Sequence, residues 1–170
     1  MKFKQIKMQF LLLIIIAIVI IFFLFANGES NPFDVFKHQK SYVLHRINKL
    51  LKKDVSAVLN GLFKPFDANC VAIMKSLPRN YNFEEIELLK TQNIPEFQKI
   101  HNCGYIHNLF MVVALSLWAE SAKAKTEASL TSFIAECLNP IVTSPNFKNG
   151  VMIYTVTKAG ILNCMTLKNI

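Results

Sequence analysis

The chain has little that could carry catalysis or bind a cofactor. Of its five glycines, four follow residue 28, and none forms a glycine-rich loop after a strand that could hold a phosphate. No serine lies in a G-x-S-x-G motif, and there is no C-x-x-C pair or other closed set of zinc ligands. An N-x-[ST] sequon is also absent after residue 28. We therefore expect a protein that is not an enzyme and has no cofactor or metal site.

Histidines and glutamates are the remaining residues that could carry acid-base or metal chemistry. His38 and His45 are seven residues apart on one predicted helix, and His101 and His107 flank Gly104. Neither pair has the neighbours that a metal site or a catalytic base requires. A group of acids lies in the first turn of another predicted helix, where acids offset the helix dipole: Glu84, Glu85 and Glu87. We interpret both groups as structural residues.

The first 28 residues have the pattern of an export signal. Residues 1–7 carry three lysines and no acid, and an unbroken apolar run of 17 residues extends from Phe10 to Ala26. Small residues occupy the −3 and −1 positions in Ala26-Asn27-Gly28, so cleavage is expected after Gly28. The chain is thus divided into a signal peptide, residues 1–28, and a single helical domain, residues 29–170.

The length of the apolar run leaves a second interpretation open. Signal peptides usually have about 7–15 apolar residues and membrane spans about 17–25, so this run also fits an uncleaved signal anchor. The lysines before it would hold the N-terminus in the cytosol. Both interpretations place residues 29–170 outside the cytosol, either as a secreted protein or as the external part of a single-pass membrane protein.

The exported domain is weakly basic. Three of the 19 basic residues lie in the first 28 residues, which leaves 16 against 11 acidic residues, a net charge of +5. The densest basic stretch spreads around the outer face of a predicted helix and contains Arg46, Lys49, Lys52 and Lys53. Such a stretch is typical of a solvated surface. We expect no nucleic-acid partner, and contact with a membrane only if the signal is uncleaved.

The apolar pattern of residues 29–170 predicts an all-α fold, a compact bundle of about five to six helices. An apolar stripe from Phe36 through Val58 to Leu62 predicts one long first helix. Asn31 and the following proline suit the start of that helix. Pro65 is expected to close it.

Cap residues and proline predict further, shorter helices. Asp67 suits the start of a second helix, and Asn82 with Glu85 has capping-box spacing at the start of a third. The next helix begins near Pro95 and is interrupted at Gly104. Residues 106–119 are nearly all apolar, which predicts a central helix that is buried on all sides.

The last forty residues carry a weaker pattern. Residues 130–138 predict an amphipathic helix that stops at Pro140, and Ser144 with Pro145 suits the start of the last segment. Residues 151–157 are rich in β-branched side chains, which favours a strand. Because no other segment could pair with a strand, we expect a helix there.

Four cysteines, all after residue 28, predict two disulfides in an oxidising compartment: Cys70, Cys103, Cys137 and Cys164. Four cysteines allow three pairings. We favour Cys70–Cys103 with Cys137–Cys164, because each bond would then link neighbouring helices, but the sequence leaves the other pairings open. Free buried thiols are the alternative, since cysteine packs well as a small apolar residue.

Two functions fit a secreted helical protein without catalytic residues. The first is a carrier of a small apolar ligand in the bundle core, suggested by a set of aromatic and methionine side chains: Phe97, Phe110, Met111, Trp118, Phe133, Met152 and Met165. The alternative is an effector or toxin-like protein that acts by surface contact with another, extracellular protein. Exposed aromatic residues such as Phe33 or Tyr81 could anchor that contact. The sequence slightly favours the carrier.

Overall fold

A computed structural model describes residues 31–150 and 154–170, and every regular element in these ranges is a helix. The predicted signal peptide, with its cleavage site, and residues 151–153 lie outside the described residues. The nine described helices are α1 Pro32–Leu51, α2 Ser56–Asn60, α3 Ala68–Ser76, α4 Phe83–Gln92, α5 Ile94–Asn102, α6 Tyr105–Ser121, α7 127–143, α8 Pro145–Lys148 and α9 Tyr154–Leu167. The all-α prediction is confirmed, and the described ranges alone contain more helices than the five to six expected.

Helix α6 is the centre of the domain. Ala114, Leu115 and Trp118 have no exposed surface, and Phe110 is 1% exposed. Helices α1, α5 and α9 all pack against α6. A helix can be surrounded in this way only if it is apolar on all sides, as the sequence of residues 106–119 predicted.

No single described helix is both long and apolar enough to cross a membrane. Helices α5 and α6 meet that standard only when they are taken together, and only by length and composition. They are bent by 67° at the break between them. Gly104, in this break, has a φ of 83°, a left-handed conformation that glycine adopts readily.

Gly104→Ala is expected to lower the free energy of unfolding by about 1–2 kcal/mol, because L-residues disfavour this conformation. The added Cβ would also lie 3.2 Å from Cδ of Lys64. The matched control is Gly160→Ala inside α9, where a Cβ meets no atom within 4 Å and should stabilise the helix by about 0.5–1 kcal/mol. Urea unfolding of both variants measures the difference, and a shift of the same sign in both would contradict this account.

The prediction of a single long helix over residues 32–62 is wrong after Leu51. Helix α1 ends at Leu51, because Lys52 adopts a left-handed conformation with a φ of 52° and its N–H bonds back to the carbonyl of Asn48. The Asn48 side chain then accepts a hydrogen bond from the N–H of Val55 at 2.9 Å and fixes the turn. As a result Val58, which the apolar stripe placed inside, is 69% exposed.

The predicted helix starts are confirmed. The side chain of Asn31 caps α1, and Asp67 caps α3 by accepting a hydrogen bond from the N–H of Cys70 at 2.6 Å. At the start of α4, Asn82 and Glu85 form the full capping box, with reciprocal bonds of 2.8 and 2.9 Å between side chains and backbone N–H groups. These short-range bonds depend on sequence spacing alone, which explains why they were predictable.

Helix α7 continues past Pro140, where the sequence predicted a stop. It consists of Glu127–Ser132, a π-helical turn Phe133–Leu138 and a final segment Asn139–Thr143. Proline lacks an N–H and crowds the carbonyl of the preceding turn, which normally ends a helix. The π turn directly before Pro140 is wider than an α-helical turn and gives the proline ring room, so the helix continues in the same direction. Cys137 lies in this turn and is buried.

All four cysteines form disulfides, in the pairing that the sequence favoured. Cys70 in α3 is bonded to Cys103 at the end of α5, with their Cα atoms 5.2 Å apart. Cys137 in α7 is bonded to Cys164 in α9, with a Cα separation of 5.7 Å. Each bond links two helices that are distant in sequence, so both disulfides stabilise the tertiary fold.

The β-branched segment at residues 151–157 is helical from Tyr154 onward. The described residues contain no strand that could have paired with it. The helical interpretation is therefore confirmed for the described part of this segment.

Candidate functional site

A surface groove runs between α3 and α5. It consists of two adjoining clefts, of about 660 and 490 Å³, which share Asn69, Ile73 and Lys99 in their walls. We call the two clefts together the α3/α5 groove. Apolar side chains contribute to its lining: Pro65, Phe66, Ile73, Leu77, Pro78 and Pro95.

The Cys70–Cys103 disulfide holds one end of the α3/α5 groove. Both cysteines line the larger cleft, and the bond joins the first turn of α3 to the end of α5. The opposite end lies between Pro78 and Pro95, which follow α3 and begin α5. The two walls are thus covalently fixed at one end of the groove.

The loop between α2 and α3 forms a rim of the groove, and α6 holds it in place. The Asn108 side chain, 1% exposed, accepts a hydrogen bond from the N–H of Lys64 at 2.8 Å. It also donates to the Lys64 carbonyl at 2.9 Å. On the preceding residue, Nε2 of His107 lies 3.0 Å from the carbonyl oxygen of Leu62. A buried amide from the central helix therefore sets the position of this rim.

The acidic side chains of the groove are already engaged within the fold. Asp67 caps α3 through its bond to the N–H of Cys70. Glu96 accepts hydrogen bonds from the hydroxyl of Tyr81 at 2.7 Å and from the side-chain amide of Asn93 at 2.8 Å. Burial, reinforced by the bond to Glu96, raises the pKa of Tyr81 to about 12, so this phenol stays a donor at neutral pH. Both carboxylates are thus committed to structural bonds.

The basic side chains of the groove have no such partners. Among the described residues, no salt bridge or hydrogen bond engages the Nζ atoms of Lys64 and Lys99. The exposed amide side chains of Asn69 and Asn102, which also line the larger cleft, make no hydrogen bond within the same part of the chain. The groove therefore presents free ammonium and amide groups beside apolar surface.

The structure places the four histidines in different surroundings. His38 and His45 are exposed on α1. Nε2 of His101 lies 2.9 Å from the carbonyl oxygen of Lys148, and its ring stacks on Phe97 with centroids 5.6 Å apart. Within the described residues, no three histidine, cysteine, aspartate or glutamate side chains are grouped closely enough to hold a metal ion.

His107 is the histidine whose environment favours the neutral form. Burial lowers its pKa below the ordinary value of 6.5, the bond to the carbonyl of Leu62 opposes this, and the charge of Lys64 lowers it further. The unfolded chain therefore binds a proton at a higher pH than the folded one. The resulting stability is present above pH 6.5 and is lost as the pH falls toward the lowered pKa.

His107→Gln is expected to remove this pH dependence and keep the contact, because the glutamine amide can donate to the carbonyl of Leu62. As the pH falls from 7.5 to 5, the free energy of unfolding of the parent should decrease more than that of the variant. Urea unfolding at several pH values measures the difference. A constant difference across this range would show that His107 titrates alike in the folded and unfolded chains.

Two aromatic residues were predicted to be exposed and to serve as surface anchors. The prediction is wrong for Tyr81, which is buried, and Phe33 is half-buried. Tyr81 is 7% exposed and part of the core, where its ring can pack and its hydroxyl is satisfied by Glu96. Phe33 packs against Phe66, with ring centroids 6.4 Å apart. Neither ring stands free in solvent as an anchor would.

The basic stretch of residues 46–53 is partly neutralised by acids from other helices. Arg46 pairs with Glu120 of α6 at 3.2 Å, and Lys53 pairs with Glu127 of α7 at 2.9 Å. Both pairs are solvent-exposed, and such pairs contribute about 0–1 kcal/mol each. This pairing agrees with the interpretation of the stretch as solvated surface.

The side chains that suggested a ligand cavity lie in the hydrophobic core. Phe110 and Met111 are 1% exposed, and Trp118 and Phe133 are fully buried. They pack in one continuous cluster with residues from α1, α3, α5 and α9. Phe97 and Met165 are 9% and 3% exposed and belong to the same cluster, whereas Met152 lies outside the described residues.

Comparison with known proteins identifies relatives in one virus. The chain is 47% identical to the uncharacterized protein 203L of Invertebrate iridescent virus 6 over 163 residues, which cover 95% of this chain and 98% of the relative. It is 27% identical to the uncharacterized protein 325L of the same virus over 120 residues, 69% of each chain. No family model and no solved structure matches. Since the first alignment spans nearly the whole of both chains, this chain belongs to the family of the Invertebrate iridescent virus 6 protein 203L.

Proposed function

We propose that this chain is exported and that its disulfide-linked helical domain acts, without catalysis, by surface contact with another protein. The contact site in this proposal is the α3/α5 groove. The observation that carries it is the combination of unpaired Lys64 and Lys99 with apolar lining at a site whose acids are already bonded within the fold. A site of this kind offers a partner apolar burial beside two ammonium groups that form no ion pair in the described part of the chain.

Three observations support export. The basic, apolar and small-residue order of the first 28 residues is that of a signal, and the two disulfides are of a kind that forms mainly in oxidising compartments. The third is the extent of the match to 203L, which covers 95% of this chain and therefore more residues than the range 29–170 contains. The alignment therefore reaches into the N-terminal segment, so the relative has a corresponding segment.

Surface contact is favoured over carriage of an apolar ligand in the core. The large side chains that suggested a carrier, such as Trp118 and Phe133, are fully buried among other core residues. Close-packed interiors leave few voids larger than a water molecule. Extraction of the purified protein with organic solvent, followed by mass spectrometry, tests this point. A stoichiometric apolar compound in the extract would restore the carrier proposal.

Export is tested by producing the full chain in cultured invertebrate cells and measuring the intact mass in each fraction. We expect a protein in the medium that begins at residue 29 and is about four protons lighter than the reduced form, since each disulfide removes two. A full-length mass in the membrane fraction would support the signal anchor instead. A reduced, full-length protein in the cytosol would overturn the export proposal.

The contact site is tested by blocking the groove with one side chain. Ile73, which lines both clefts, is replaced by arginine, and the matched control is Ala72→Arg at the exposed neighbouring position of α3. Affinity capture from the medium and surface of invertebrate cells should recover a partner with the parent and with the control. It should fail with Ile73→Arg, provided that thermal unfolding shows this variant to be folded. Equal recovery with both variants would place the contact elsewhere.

A further inference from the structure

The exposed surface of residues 37–53, on α1 and the turn after it, lies outside the α3/α5 groove, and we call it the α1 basic face. We propose that this face binds a linear sulfated polysaccharide, with lysine ammonium groups on the sulfates and Tyr42 against a sugar ring. The proposal goes beyond the proposed function and uses one part of it, export.

The positive charge of the domain is concentrated around α1. Helices α2 and α3 pack against α1, and Glu120 and Glu127 of residues 120–127 form ion pairs with it and with the turn after it. Residues 31–76 and 120–127 together carry ten basic and five acidic side chains. The other described residues carry six basic and five acidic side chains. The surplus around α1 therefore remains after its paired acids are counted.

A row of exposed side chains follows the outer side of α1. It consists of His38, Tyr42, His45 and Lys49, and the exposed Lys52 comes directly after the helix. At 100° per residue the four helical positions lie within about 60° of one another and span about 17 Å along the axis. The apolar side of the same helix is buried in the core. The row is thus a straight, solvated edge of the domain.

Three lysines of the α1 basic face have no acid partner. Among the described residues, no carboxylate lies within salt-bridge distance of Lys37, Lys49 or Lys52. Asp34 lies fifteen positions before Lys49, about 22 Å along the helix, and Asp54 follows the row. Both acids are anions and are included in the count above, so an anionic ligand still meets a positive surplus.

The shape of the α1 basic face favours an extended ligand over a compact one. The two clefts of the α3/α5 groove contain no residue of α1, and a single exposed helix cannot surround a small anion. Among the large apolar side chains exposed in the described part of the chain, only Tyr42, 62% exposed, lies on α1. Protein partners usually bury an apolar core, which this face does not supply. A hydrated, linear polyanion needs no such core.

Sulfated polysaccharide is the polyanion that fits an exported domain. Export separates the domain from nucleic acid, and anionic phospholipids give the cytoplasmic leaflet its negative potential. Short stretches rich in lysine and arginine, such as residues 46–53 with four bases, are typical of heparin-binding patches. The imidazole N–H groups of His38 and His45 can donate to sulfate oxygens, and sugar rings offer apolar faces to Tyr42.

The test measures binding of the chain, purified from secreting cells, to immobilised heparin by biolayer interferometry. We expect Lys49→Gln/Lys52→Gln to bind at least about tenfold more weakly than the parent. The slope of log Kd against log [NaCl] should fall by about two, because each lost contact releases about one counterion fewer. Tyr42→Ala should weaken binding without changing this slope.

The matched control is Lys148→Gln/Lys158→Gln, which makes the same change in net charge at exposed positions outside the α1 basic face. It should stay within about twofold of the parent, and circular dichroism verifies that all variants are folded. Equal weakening by both double variants would show that net charge alone attracts heparin and would overturn the proposal. Equal affinity for heparin and desulfated heparin would overturn it too, as would tighter binding to phosphatidylserine vesicles.

Failure of this proposal can be told apart from failure of the proposed function. Ile73→Arg, which blocks the α3/α5 groove, should leave heparin binding unchanged, because the two surfaces share no residue. If Lys49→Gln/Lys52→Gln abolishes capture of a protein partner and leaves heparin binding intact, the α1 basic face is a protein contact and this proposal is wrong. Loss of capture with Ile73→Arg alone would still support the groove.

Discussion

Replacement of both Cys70 and Cys103 by alanine is expected to lower the free energy of unfolding by about 4 kcal/mol. The bond closes a loop between residues 33 positions apart, and its removal returns the corresponding conformational entropy to the unfolded chain. For a domain of this size a loss of 4 kcal/mol is a large part of the total stability. Urea unfolding of the parent and the variant under non-reducing conditions measures the change.

The matched control for this prediction is removal of the second disulfide, Cys137–Cys164. Its residues are 27 positions apart, so the expected loss of stability is nearly the same. Only the first disulfide lines the α3/α5 groove, however. Binding of groove ligands should therefore weaken when Cys70 and Cys103 are replaced and persist when Cys137 and Cys164 are replaced, under conditions where both variants are folded. Equal weakening would show that the groove depends on global stability alone.

Asn108→Ala is expected to cost about 2–3 kcal/mol, which is large for a single substitution. The change removes both hydrogen bonds to the backbone of Lys64 and leaves its N–H and carbonyl groups without their partners. Exchange of the Lys64 amide hydrogen should become faster in the variant, since this rim of the groove is no longer held to α6. Hydrogen exchange followed by NMR, together with urea unfolding, measures both effects.

Asn102→Ala is the control for this substitution, because that side chain is exposed and makes no hydrogen bond in the described part of the chain. It should change the free energy of unfolding by less than about 0.5 kcal/mol. If Asn108→Ala has as small an effect, the hydrogen bonds between Asn108 and the Lys64 backbone do not hold the rim in solution.

Local features of this protein were predictable because they depend on neighbours in sequence. The caps at Asn31, Asp67 and Asn82 need only the right side chain a few residues before the N–H that it accepts from. The buried character of α6 followed from its apolar residues on all sides. The predicted export signal lies outside the described residues and stays a prediction.

Features that depend on tertiary contacts were missed. The turn after Leu51 is stabilised by the Asn48 side chain, which accepts a hydrogen bond from the N–H of Val55, seven positions later. The pattern of apolar residues contains no signal for such a bond. Pro140 was expected to end a helix, yet the chain inserts a π turn before it. Continuation of the helix keeps Ile141 and Val142, on its final turn, packed against the core.

The groove itself could not have been predicted from the sequence. Its walls come from residues 64–78 and 93–104, which are brought together by α6 and by one disulfide. The signals in the sequence were three prolines, Pro65, Pro78 and Pro95, which mark the ends of short helices without showing that these ends meet. Whether Lys64 and Lys99 are paired depends on where acids from other segments lie.

The sequence by itself predicted an all-α domain with four cysteines, which the structure shows for the described residues 31–150 and 154–170, and it predicted export. Apolar periodicity, helix caps and the N-terminal signal pattern each depend on residues that are close together in the chain. They can therefore be recognised from the sequence alone. Only the tertiary structure decided which cysteines pair, which acids are already bonded and where free lysines remain beside apolar surface. These properties arise from contacts between residues as far apart as Lys64 and Asn108, and the free energy of such contacts depends on how all the helices pack.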